Sequence, residues 1–218
     1  MPIDLHKELT ELRRAILSMG SVVEQRVDRV LDALDRHDVD LARAVRMGDR
    51  EIDEMDNGIE SECLRVLALG QPVATDLRLV MTVLRINSAL ERIGDNAKSI
   101  AKRVIDLGPA SPFEPPVTLG VMARAARGML GDALTGLAER DADLCRCVLD
   151  ADEQVDVHQK EIFTWIQDEI PRHADATRAA INYLSVARRL ERIADLATNI
   201  AEDVIFLVEG SLVRHARA

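Results

Sequence analysis

Two carboxylates four residues apart, Glu91 and Asp95, recur at Glu191 and Asp195 inside a segment that the chain carries twice. From Leu90 to Leu107, 11 of 18 residues are identical to those a hundred places on. Two further acidic pairs, Asp49/Asp53 and Asp152/Asp156, sit at matching places upstream of each copy. On a helix, residues four apart share a face, so each pair converges, and like charges at that spacing cost about 0.2–0.5 kcal/mol. A bound cation would reverse that cost. The chain holds nine acidic pairs at this spacing, where random placement gives roughly six or seven, so spacing alone is weak evidence. The four named pairs stand out because they are duplicated and fall on neighbouring predicted helices. Some are also short of cations. Glu91 has no Lys or Arg three or four residues away, and Asp53 has only Arg50.

We therefore take Asp49, Asp53, Glu91 and Asp95 as one candidate metal set, and Asp152, Asp156, Glu191 and Asp195 as a second. The donors are all oxygen, which selects magnesium, manganese or iron ahead of zinc. The five histidines do not complete a Glu-x-x-His di-iron pattern with these pairs. At 100° per residue, Glu91 and Asp95 lie roughly 120–160° from Ala97 on the apolar seam, which puts the site on the outer face of its bundle.

The elements that position these groups follow from apolar spacing. Leu5, Leu9, Leu12, Ile16, Met19 and Val23, continued by Val27, Val30 and Leu34, predict a long amphipathic first helix. Val45, Ile52, Ile59 and Val66 mark a second at sevenfold intervals. Leu90, Ile93, Ala97, Ile100, Val104 and Leu107 mark a third. The segment 36–40 supplies a turn and an N-cap, and 139–143 does so in the second half. The proline-rich stretch 108–117 divides the halves. The expected fold class is all-α, two tandem three-helix bundles of six long helices, with bundles at 1–107 and 118–218 joined by 108–117. The sevenfold seams imply near-parallel, coiled-coil-like packing.

Composition agrees with a helical protein: 47% of residues are hydrophobic but only 2% aromatic. The net charge of −10 argues against nucleic acid as a partner. No apolar run approaches a membrane span, and no leader is visible. Three cysteines without a spacing framework point to reduced thiols and a cytoplasmic location. Cys145 and Cys147 are expected to be buried or half-buried free thiols rather than half a metal site. No Gly-rich phosphate loop, nucleophile elbow or dinucleotide fingerprint occurs, so no catalytic residue is assigned.

The segments 71–78, 77–102 and 183–206, with the doubled E-R-I-x-D motif, resemble the two halves of the PhoU family of phosphate-uptake regulators. The resemblance covers nearly the whole chain. It implies two tandem three-helix bundles, metal held through E/D-x-x-x-D motifs, in some members as multinuclear iron clusters, and a homodimer. It also implies negative regulation without enzymatic activity. The expected partners are a PhoR-like sensor histidine kinase and the ATPase subunit of the phosphate ABC transporter, so the protein would sit peripheral to the inner membrane. The competing reading is a metal-storage or metal-dependent hydrolytic bundle. The chain departs from the family pattern at Leu196, where His is common. Lys102 replaces the Glu of the second copy and should weaken the first site, and Asp56 aligns with Gln159.

Overall fold

A computed structural model describes residues 4–109, 114–173 and 176–211, and of Asp49 the backbone only. The described residues form helices and connecting turns with no strand. The helices are α1 (Leu5–Asp35), α2 (Val39–Met47), α3 (Asp49–Gly70), α4 (Thr75–Leu107), α5 (Val117–Glu139), α6 (Ala142–Glu169) and α7 (Thr177–Glu209). The stretch 108–117 falls between α4 and α5, and residues 110–113 lie outside the described ones.

Side-chain caps start the helices where the sequence places them. Asp38 accepts from the Leu41 amide at 2.9 Å, and Asp141, its counterpart, accepts from Asp143 and Leu144 at 2.9 Å each. Each cap satisfies amides that have no partner within the helix. The predicted seams are the core: Val45, Ile52, Ile59 and Val66 are all buried, as are Leu90, Ile93, Ala97, Ile100, Val104 and Leu107.

One expectation is corrected. The second helix of the first half is not continuous but breaks at Gly48, giving α2 and α3. Two sequence differences account for it. Gly48 aligns with Ala151, within unbroken α6, and glycine is about 1 kcal/mol worse than alanine in a helix. In addition, the Arg26 guanidinium donates to the Gly48 carbonyl, which also accepts from the Glu51 amide, whereas Met129 occupies the aligned position in α5.

The two bundles, α1–α4 and α5–α7, share one continuous core. The most extensive helix pairing joins them, α4 along α7, with α1 against α5 beside it. Arg85 pairs with Asp203 at 3.2 Å, Arg189 with Asn96 at 3.3 Å and Arg103 with Asn182 at 3.2 Å. This register makes α4 and α7 antiparallel and sets position 93 opposite position 193. The arrangement is a pseudo-twofold, with each half presenting its equivalent helices to the other. None of the described helices is long and apolar enough to cross a membrane.

Candidate functional site

In the first bundle, Asp53 is exposed on α3, while α4 carries half-buried Glu91 and exposed Asp95. Gly94 lets α3 approach α4 here: a Cβ at this position would lie 2.9 Å from Ile52 Cδ1. The close approach brings carboxylates of the two helices into one field. Burial pushes the Glu91 carboxyl above its ordinary pKa, and Asp95, Asp56 and Asp53 add to the rise against Arg92. Asp56 belongs to this patch. The Asn87 amide donates to its side chain at 2.6 Å and to its backbone carbonyl at 3.1 Å. Burial, then Glu60 and Asp53, raise its pKa. Asp56 also forms an i,i+4 pair with Glu60, but that pair is not duplicated, since Gln159 aligns with Asp56, and its interaction with Glu91 runs across helices.

The second bundle repeats the arrangement. Burial raises the pKa of Glu191, and Asp195, Asp156 and Asp152 raise it further against Arg192. Asp195 is raised by loss of surrounding water and by Asp156, again opposed by Arg192. The structure therefore places Asp152, Asp156 and Asp195 within the field of Glu191, and Asp53, Asp56 and Asp95 within that of Glu91. The Asp49 side chain lies outside the described residues. Among the described residues, no three carboxylate, imidazole or thiol side chains stand close enough to enclose one ion. Each set forms an open negative patch whose oxygen donors suit a hard cation that keeps part of its water shell.

The two patches are not isolated. A groove of about 900 Å³ runs along the α4–α7 junction, and both Asp95 and the Glu191/Asp195 pair line it. Its other charged walls are cationic: Arg92, Lys98 and Lys102 from α4, Arg188, Arg189 and Arg192 from α7, and Arg46 from α2. Arg189 is fixed by its bond to Asn96.

The PhoU domain matches this sequence twice, over residues 16–104 and 119–204. The chain belongs to the PhoU family. A phosphate-specific transport system accessory protein PhoU homolog from Aquifex aeolicus is 38% identical over 97% of this chain and 96% of its own length. One from Pseudomonas putida is 40% identical over 95% of this chain and 82% of its own. The crystal structure of PhoU from Pseudomonas aeruginosa superposes with a TM-score of 0.91 at 36% identity, covering 95% of this chain and 100% of that one.

Sequence reasoning singled out the carboxylates of this PhoU-family chain and Lys102, but not the other cations that share their groove. The signal available was the Arg188-Arg189 doublet and the Arg that follows Glu in both E-R-I-x-D motifs. Lys102 does line the groove with Asp95, as its position on α4 suggested. The cysteines separate by environment. Cys63 and Cys145 are buried, and burial pushes both thiols up to about 12. Cys147 is exposed, contrary to the expectation of burial, because residues two apart leave a helix in different directions.

Proposed function

We propose that this PhoU-family chain is a non-enzymatic accessory regulator of phosphate transport that represses uptake and the phosphate-starvation response. It acts as an adaptor between the ATPase subunit of a phosphate ABC transporter and a sensor histidine kinase, in the cytoplasm at the inner membrane, as a homodimer. The observation that carries the reading is the duplicated crowding of carboxylates, Glu91 and Glu191 held above their ordinary pKa by burial and by neighbouring acids. Such a cost in two equivalent places suits a chain that recruits magnesium, manganese or iron there. The PhoU relatives, phosphate-specific transport system accessory proteins, supply the transport context.

Deleting the gene leaves the starvation response on in high phosphate, and reintroducing the chain shuts it off. The Glu191→Ala/Asp195→Ala variant binds less manganese in equilibrium dialysis and copurifies less ATPase subunit. A deletion strain that represses normally in high phosphate, with no second copy of the gene, overturns the reading.

A further inference from the structure

The α4–α7 junction is built on a pseudo-twofold, so each end of it has an equivalent at the other end. One end is the groove described above. The opposite end opens a second hollow lined by Arg85, Ser88, Arg92, Asn199 and Glu202 among others. The backbone geometry is shared, so differences in side chains report something other than the needs of the fold.

Most of the charge differences favour the groove; the exception is Arg85, whose equivalent is Ser185 and which pairs with Asp203 at 3.2 Å. Arg188 and Arg189 have Ser88 and Ala89 as equivalents, and Lys98 and Lys102 have Thr198 and Glu202. All four exchanges put a cation in the groove and none in its counterpart. Arg189 has a structural partner in buried Asn96, where the other end has Leu196, but no such need accounts for Lys102 and Arg188. Among the described residues, Lys102 and Arg188 make no ion pair or hydrogen bond and are exposed, although the chain as a whole carries a net charge of −10. Like charges gathered on one wall repel, and the three carboxylates of the groove offset only part of its seven cations, so an anion that fills the space is favoured.

Size and charge narrow the ligand class. Seven cationic side chains face three carboxylates around about 900 Å³. A single tetrahedral oxyanion would contact only a small part of that wall. A chain of linked phosphoryl groups carries several negative charges along its length and offers each arginine a bidentate partner.

We propose that the basic end of the α4–α7 groove binds an oligophosphate chain, with Lys102, Arg188 and Arg192 among its contacts. The chain could be supplied as inorganic polyphosphate or as the tail of a nucleoside triphosphate. This inference does not depend on the carboxylates holding metal or on any partner protein.

Isothermal titration calorimetry of the chelator-treated full chain, in magnesium-free buffer of low ionic strength, tests it. Inorganic triphosphate should bind one per chain, at least roughly tenfold tighter than orthophosphate, with affinity falling as salt rises. Exchanging groove residues for their equivalents, Lys102→Glu and Arg188→Ser, should weaken binding by roughly tenfold or more and leave the melting temperature within a few degrees. If that pair misfolds, Lys102→Gln/Arg188→Gln carries the same expectation. ATP binding as tightly as triphosphate identifies a nucleotide tail as an acceptable source. ATP binding much more weakly leaves inorganic chains as the source, and both results support the site. Absence of saturable triphosphate binding, or binding unchanged by either exchange, overturns it.

Discussion

Gly94 and Ile52 make a pair whose counterparts, Ala194 and Val155, are each altered in the compensating sense. A Cβ on Gly94 would sit 2.9 Å from Ile52 Cδ1 and 3.5 Å from its Cγ2, inside a core where Ile52 is 1% exposed. Gly94→Ala therefore overpacks a closed space, which costs about 1–3 kcal/mol. It also gains about 1 kcal/mol of helix propensity, so the net loss should be about 0–2 kcal/mol. Ile52→Val alone removes a buried methylene and costs about 0.5–1.5 kcal/mol. Together the two changes rebuild the second bundle's solution: the methylene that clashes is the one removed. The double variant should be about 1 kcal/mol more stable than Ile52→Val, and the double-mutant cycle should show favourable coupling of about 1–3 kcal/mol, the overpacking cost removed. Urea unfolding followed by helical circular dichroism measures all four proteins. Additive effects within about 0.3 kcal/mol would refute the argument that close approach of α3 to α4 is set by this pair. Because the same approach brings Asp53 and Asp56 to Glu91, the single Gly94→Ala variant should also bring the Glu91 pKa, read by carboxyl NMR titration, back toward its ordinary value.

Two further outcomes follow from the charges and thiols. The raised pKa of Glu191 means that the folded chain holds this proton more tightly than the unfolded one. Its contribution is best below about pH 4.5 and is lost as pH rises through the folded value. Glu191→Gln in metal-free buffer should thus stabilise by about 0.5 kcal/mol at pH 7, from relief of like-charge repulsion, with the gain vanishing near pH 4; a less stable variant at pH 7 would contradict it. A thiol reagent at pH 8 should label Cys147 within minutes and leave Cys63 and Cys145 untouched until the chain is unfolded, and mass spectrometry showing equal labelling of all three would contradict the burial assignment.

The parts of the fold legible in the sequence were those written in apolar periodicity and in caps. The seams of α1, α3, α4 and the cap pair Asp38/Asp141 follow directly from hydrophobic spacing and from side-chain acceptors at helix starts. The pairing of α4 with α7 was not legible. It uses a second stripe on each helix, including Asn96 and Arg103 on one and Asn182, Arg189 and Asp203 on the other. These residues are polar, so a hydrophobic pattern reads them as solvent-facing, yet Asn96, Asn182 and Asp203 are buried. The break at Gly48 was hidden for another reason. A lone glycine is compatible with a helix, and what settles the matter is Arg26, a residue 22 positions away in the chain. At the site, charge pairs within one helix were visible, whereas Asp56 and the cationic wall depend on which helices meet.

The antiparallel apposition of equivalent helices is what an isologous dimer interface looks like. Here the two copies are joined in one chain, which makes their association unimolecular. The tether also changes what mutation can do. In a true dimer every substitution appears twice, and anything placed beside the axis is mirrored on its other side. A duplicated and fused chain escapes that constraint, so one half can break at Gly48 a helix that its twin keeps continuous, and one end of the shared junction can collect arginine and lysine that the other end lacks. Inherited symmetry provides the frame, and divergence between the halves gives the molecule a direction: two ends of one junction, alike in backbone, that can address different ligands.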